Sequence, residues 1–434
     1  MKLLKNLTVQ TALAGVAGYL LSRWLFQGES PSVGAEQLLG LLLIAKGAFL
    51  TGLKMLIAPM IFFSLLQGLL QLGDASKLSS LGRRTLIYYL GTTGVAILIG
   101  LFVVLFIHPW EGSGVRLSPG EGLDSFGAAA PSRLINAAEG STSAIFTGLL
   151  QRALDNPFHA LAEGNLIGIV TSAILFGLAL LFAGARARPL VELIGILSEA
   201  TFRILGWLLR LLPLGVFAIV FDFQRKVSGD LVTELFAFAL VVLAATLLHG
   251  LVILPLIARI VAGVSPRVLF KGLAQPLLLA LTTSSSAATL PVSLKSAREH
   301  FKVREEVSSF VLPLGATMNM DGTALFEGIA AIFLAHLYGI DLSGAQIGLV
   351  FFTAMISSIG APGMPSGSMS GMQIVLLSVG IPLEAIGILL VVERPLDTIR
   401  TMVNVEGDLI GAIVVDRSAG ETLNSESEGA PLPG

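Results

Sequence analysis

The chain has 434 residues, 54% of them hydrophobic and only 13% charged, with a mean hydropathy of +0.84; an average soluble domain is about 25% charged, so this is the composition of a polytopic membrane protein. A formal net charge of −2 with no basic tract excludes nucleic acid as the expected partner. With no cysteine, disulfides and thiolate metal sites are excluded too, and the five histidines (His108, His159, His249, His300, His336) are too scattered for a ligand cluster.

Apolar segments long enough to cross a bilayer run over 8–26, 36–72, 82–107, 162–184, 190–221, 231–262, 305–335 and 384–415. The N-terminal MKLLKNLTVQTALAGVAGYLL has the basic start and small residues of a signal peptide. Its apolar run continues to Phe26, however, which predicts a first transmembrane helix. The second segment exceeds a perpendicular span and holds Lys54 and Pro59, so it is expected to tilt or bend. Residues 109–140, rich in Gly, Pro and Ser, read as an extramembrane loop, and 417–434 as a disordered tail without apolar periodicity. Basic residues cluster at Lys2 and Lys5, at Lys77, Arg83 and Arg84, and at Arg186 and Arg188, whereas 27–35 has none. The positive-inside rule then predicts a cytoplasmic N-terminus, with Arg225 and Lys226 as the exception.

The stretch 272–294 lies between the clusters Arg259, Arg267, Lys271 and Lys295, Arg298, Lys302, Arg304, so both of its ends belong on the cytoplasmic side. Too short to cross twice, it is predicted to be a re-entrant hairpin with its tip in TTSSSAATLP, Thr282–Pro291. Two readings fit that tip: hydroxyls and free amides offered to a ligand at membrane depth, or a Ser-rich contact between helices. The segment 346–379 is broken at SSIGAPGMPSGSMSG, Ser357–Gly371, where Pro362, Pro365 and the glycines forbid a continuous helix. Two interrupted segments in corresponding halves point to a transporter binding site built from inverted repeats. Between them, ATMNMDGTALFEG (Ala316–Gly328) sets Asn319, Asp321 and Gly322 inside an apolar span. These are poor helix-interior residues, so a partly unwound helix with exposed carbonyls is expected. Carbonyls with a carboxylate suit a hard cation such as Na⁺, and Glu327 is a candidate proton carrier.

The last span contains VVERPLDTIRTMVNVEGD, Val391–Asp408. At about 100° per residue, Asp397, Arg400, Thr401, Asn404 and Asp408 share one helical stripe, with Glu393 and Arg394 at its edge. An ionised side chain at the bilayer centre costs at least roughly 2.5–3.5 kcal/mol. This pattern is therefore read as a functional cluster rather than a salt-bridged helix end.

Taken together, TTSSSAATLP, LPLGATMNMDGTALFEG, the Gly/Pro-rich break and LDTIRTMVNVEGD resemble the dicarboxylate/amino acid:cation symporter family, the glutamate transporter family. YYLGTT (Tyr88–Thr93) and NPFHALAEG (Asn156–Gly164) extend the resemblance over nearly the whole chain. Inverted repeats are themselves known from this family, so that feature is not independent of it. The resemblance implies an all-α polytopic membrane protein with eight transmembrane helices, two re-entrant helical hairpins and an elevator mechanism. It further implies a homotrimer in the cell inner (plasma) membrane, with both termini cytoplasmic and lipid around it. Its scaffold would be 1–72 and 141–226. Its transport domain would be 78–108 and 230–416, with hairpin 1 at 264–296 and hairpin 2 at 346–379.

Carried onto matching positions, the resemblance assigns Arg400, helped by Thr323, to the substrate's side-chain carboxylate. Asp397 takes the α-ammonium, and Asn404 with the backbone at Ser284, Ser285 and Ser286 takes the α-carboxylate. Thr401 borders the same site, and Gly363 and Met364 lie in the tip that closes over it. One sodium site would use Asp408, Asn404 and carbonyls of Gly315 and Asn319. A second would use Asp321, Asn319, Thr92, Thr93 and the Tyr89 region, although Thr92 and Thr93 alone read as ordinary packing. A third would use carbonyls of Thr317, Ser358, Ile359 and Ala361. The chain departs from some relatives in having Ser284 where they carry arginine, with Arg394 as its replacement, and in the tip APGMPSGS.

The function read from this is import of aspartate or glutamate with Na⁺, H⁺ being a second candidate coupling ion. Import of C4-dicarboxylates is the rival, disfavoured because a substrate without ammonium would leave Asp397 unpaired. A serine hydrolase using Ser284–Ser286 or Ser368 lacks a placed histidine and a G-x-S-x-G elbow. An ion channel is disfavoured because mixed charges make a binding site rather than a conduction ring.

Overall fold

The computed structural model describes residues 7–26, 33–70, 81–107, 110, 150–151, 153–163, 165–226, 231–360, 367–382 and 385–428. All the described elements are helical. In order they are α1 (Leu7–Leu25), α2 (Val33–Leu70), α3 (Arg83–Ile107), α4 (Pro157–Glu163), α5 (Leu166–Ala183), α6 (Arg188–Leu209), α7 (Leu212–Lys226) and α8 (Leu231–Leu248). They continue through α9 (Leu254–Ala262), α10 (Pro266–Thr283), α11 (Ser286–Glu299), α12 (Glu305–Met318) and α13 (Asp321–Leu337). The chain then forms α14 (Gly344–Gly360), α15 (Ser368–Val379) and α16 (Ile386–Glu428).

Among the described residues, five stretches are long and apolar enough to cross a membrane: Val33–Gly52, Arg83–Ile107, Gly168–Leu209, Thr233–Ala262 and Glu305–Leu337. Helix α2 is continuous for 38 residues with Pro59 inside it. At about 1.5 Å per residue it outruns a hydrocarbon layer roughly 30 Å thick, so tilting is required. The long 231–262 span carries a π-turn at His249–Ile253 just ahead of Pro255. A missing N–H at that proline leaves a carbonyl unclaimed one turn back, and a wider turn relieves the clash.

Two expectations are corrected. The segment 190–221 is not one helix but two, α6 and α7, divided at Arg210 and Leu211. Pro213 sits in the first turn of α7, a position proline tolerates while it cannot continue the preceding helix. The 417–434 stretch is not wholly irregular, because α16 runs past Arg417 to Glu428. Its residues up to there include no proline, and the helix simply propagates; 429–434 lie outside the described residues, as does most of the expected 109–140 loop.

Two groups of helices pack internally. In the first, α1, α2, α5, α6 and α7 lie together. Ser22 Oγ donates to the Phe221 carbonyl at 2.8 Å, and Lys46 Nζ meets Asp222 Oδ2 at 2.7 Å in a buried ion pair. In the second, α3, α8, α14 and α15 pack on α13, and α9 to α12 pack on α16, which also lies against α13. Every residue of α13 from Asp321 to Ala335 is buried. The part of this span from Asn319 through Ala335 is thus walled off by its own protein, which is why it can carry Asn319, Asp321 and Glu327 at all.

Candidate functional site

The site begins where helices fail. Helix α12 stops at Met318, and Asn319 (φ −108°, ψ 80°) and Met320 (φ −110°, ψ 53°) leave helical geometry before α13 starts at Asp321. This is the unwinding expected from the sequence. The gap lets α16 come close: a Cβ at Gly322 would sit 2.7 Å from the Arg400 carbonyl oxygen, so only glycine fits there. The Gly322 N–H donates to Asn404 Oδ1 at 2.8 Å, and Asn404 Nδ2 reaches Thr323 Oγ1 and Met320 Sδ, each at 3.3 Å. Asn404 is therefore turned toward the start of α13.

Hairpin 1 is present as α10 and α11, both packed on α16. At its tip Ser284 adopts φ 49°, the left-handed region, and Ser285 Oγ caps α11 by accepting from the Ala288 N–H at 3.2 Å. Ser284, Ser285 and Ser286 are all buried. Hairpin 2 is present as α14 and α15, packed together. Its tip, with Ala361, Gly363 and Met364, lies outside the described residues.

Arg400 is 1% exposed. Its Nη2 donates to Glu393 Oε1 at 3.1 Å, to Asp397 Oδ1 at 3.2 Å and to Ser368 Oγ at 3.2 Å. The guanidinium carbon lies 3.8 Å from the ring centroid of Phe326, a cation–π stack. Its Nε and Nη1 are buried with no hydrogen-bond partner among the described residues. Thr401 Oγ1 is spent on the Asp397 carbonyl at 2.7 Å.

A second cluster lies one to two turns further along α16. Asp408 Oδ1 accepts from Asn319 Nδ2 at 3.0 Å, and Gly315 lies against Asp408 and the Tyr89 hydroxyl. The Tyr89 hydroxyl donates to the Val311 carbonyl at 2.8 Å, and the Tyr89 carbonyl accepts from Thr92 Oγ1 at 3.2 Å. Asp321 Oδ1 accepts from Thr93 Oγ1 at 2.7 Å, with Thr92 Oγ1 at 3.4 Å from both Asp321 Oδ1 and Asn319 Oδ1. Asp321 Oδ2 meets His249 Nε2 at 3.0 Å. Among the described residues no ion pair reaches Asp408 or Glu406. A buried carboxylate such as Asp408, beside the Asn319 amide and with no ion pair among the described residues, makes a hard, electron-rich spot that a small cation would neutralise.

Thr317 Oγ1 donates to the Leu314 carbonyl at 3.0 Å and Ser358 Oγ to the Met355 carbonyl at 2.8 Å, while α12 and α14 touch. Ile359 is half-buried against the core, so these residues share a neighbourhood. Glu327 is fully buried, with Ser357 Oγ donating to its Oε1 at 2.8 Å.

Compared with known proteins, the chain matches the Sodium:dicarboxylate symporter family over residues 7–418. The chain belongs to the sodium:dicarboxylate symporter family. It is similar to excitatory amino acid transporter 2 of Rattus norvegicus, 33% identical over 86% of this chain and 73% of the relative. An excitatory amino acid transporter of Caenorhabditis elegans is 33% identical over 84% of this chain and 78% of its own. Excitatory amino acid transporter 3 of Homo sapiens is 33% identical over 86% and 78% respectively. As a family member the chain is a membrane-embedded, all-helical, sodium-coupled transporter.

Sequence reasoning missed Ser368, Phe326 and His249 as neighbours of this site. Each comes from a different helix, and none bears a local spacing signal. Glu393 was placed at the edge of the stripe, and its bond to Arg400, seven residues on, follows two helical turns.

Proposed function

We propose that this symporter imports an acidic amino acid, aspartate or glutamate, together with Na⁺. The observation that carries this is Arg400: a guanidinium buried in a membrane span, stacked on Phe326, with donors left over for a carboxylate. Thr323 assists Arg400. Asp397 receives the substrate ammonium, while Asn404 and the Ser284–Ser286 tip receive the α-carboxylate. The names of the relatives agree with that substrate class.

Sodium is co-transported cargo. Asp408 with Gly315 and Asn319 forms one site, and Asp321 with Asn319, Thr92 and Thr93 a second. Carbonyls around Thr317, Ser358 and Ile359 serve a third. Glu327 is the candidate for proton coupling. The α1, α2, α5–α7 group is the trimerisation scaffold, and the group around α13 and α16 moves as an elevator through the inner membrane, both termini being cytoplasmic.

The test is uptake of labelled aspartate into proteoliposomes under a Na⁺ or H⁺ gradient, with glutamate, serine and succinate as competitors. Na⁺-driven uptake blocked by glutamate and not by serine is expected. Uptake that ignores the Na⁺ gradient, or is blocked by serine alone, overturns the reading.

A further inference from the structure

Asp397 is already claimed in the structure by two cations. Its Oδ1 lies 3.2 Å from Arg400 Nη2, and its Oδ2 lies 4.0 Å from Arg394 Nη1, one helical turn earlier on α16. Arg394 is 7% exposed, and its Nε is buried without a hydrogen-bond partner among the described residues. At about 100° per residue it sits between the Asp397 stripe and Val391, which approaches Gly15 on α1. Glu393 closes the group from the other side through Arg400. Two buried guanidiniums and two buried carboxylates thus lie together on α16 and, as a group of four, balance in charge.

That balance changes what a ligand meets. Arg400 is shared with Glu393 and assigned to the ligand's carboxylate; were it the sole cation beside Asp397, a ligand without an ammonium would leave that buried carboxylate under-compensated. With Arg394 at hand, Asp397 stays compensated whether or not the ligand supplies an ammonium. An incoming ammonium must instead share Asp397 with a guanidinium of like charge, which is unfavourable.

We propose that Arg394 is a specificity-determining residue of this site: it holds Asp397 as an internal counter-ion, so that C4-dicarboxylates compete with acidic amino acids for the same pocket. The proposal rests on the assignment of Arg400 and Asp397 to the substrate.

Na⁺-dependent aspartate uptake by the unaltered protein is measured first; its absence sinks the parent assignment and not the role of Arg394. Given that uptake, succinate is expected to compete with an inhibition constant within about tenfold of the aspartate half-saturation constant. Rejection of succinate by roughly a thousandfold or more overturns the proposal without any variant. In Arg394→Gln the ratio of succinate to aspartate constants is expected to rise by about tenfold, a modest value for close charge pairs. Arg394→Lys, which keeps the charge, is expected to hold the ratio within about twofold of the parent. If Arg394→Gln weakens both ligands by the same factor, or if the lysine variant shifts the ratio as far as the glutamine one, Arg394 acts through shape alone and the proposal falls. Should the glutamine variant not be recovered, the succinate constant of the unaltered protein decides.

Discussion

At the residue scale the site turns on buried charges that no solvent screens. Arg400 pairs with Glu393 and Asp397 and stacks on Phe326, so its removal strips both binding energy and charge balance. Arg400→Ala is expected to weaken aspartate by about a hundredfold or more, as removal of one partner of a buried hydrogen-bonded charge pair does, while serine begins to compete. Uptake assays with both competitors check this, and unchanged aspartate affinity would remove Arg400 from the site. Among the described residues no ion pair reaches Asp408, whose Oδ1 accepts from Asn319 Nδ2 at 3.0 Å. Asp408→Asn is expected to shift the Na⁺ dependence to higher concentration, read as half-activation in a Na⁺ titration; a superimposable titration refutes its role as an ion ligand. A C4-dicarboxylate would not leave Asp397 unpaired, because Arg394 and Arg400 both flank that carboxylate.

At the element scale the function depends on where helices stop. Poor helix formers open the α12–α13 junction, and Ser284 and Ser285 turn hairpin 1. On the other side, Gly371 seats α15 against Ser357 and Glu327: a Cβ there would collide with Ser357 Oγ and Glu327 Oε1. Gly371→Ala must therefore break the Ser357–Glu327 hydrogen bond or move α15. Loss of most uptake, in protein that still inserts and melts cooperatively, is the expected result; a wild-type uptake rate would mean that seat is not used during transport. The breaks themselves were legible from Asn, Gly and Pro. Which helix each break leans on was not, because that is a long-range contact with no local periodicity.

At the scale of the whole molecule, the two packing groups meet where α1 faces α16. A Cβ placed at Gly15 would lie 3.6 Å from Val391 Cγ1, within reach of a disulfide between new cysteines, and the natural chain has none to interfere. If the α16 group slides past the α1 group, oxidising a Gly15→Cys, Val391→Cys double variant should stop uptake and a reductant should restore it. Full uptake in quantitatively cross-linked protein would rule out the elevator motion.

What the amino-acid order alone determined was local: apolar runs of membrane length, residues too poor for a helix interior, and a charged stripe at helical spacing on the last span. Periodicity and propensity act within a few residues, so they are readable in one dimension. Only the tertiary structure decided that Arg400 stacks on Phe326, that His249 meets Asp321 and that Ser357 holds Glu327. Those pairings join residues far apart in the chain, and they are settled by how helices pack when their buried charges have no water to turn to.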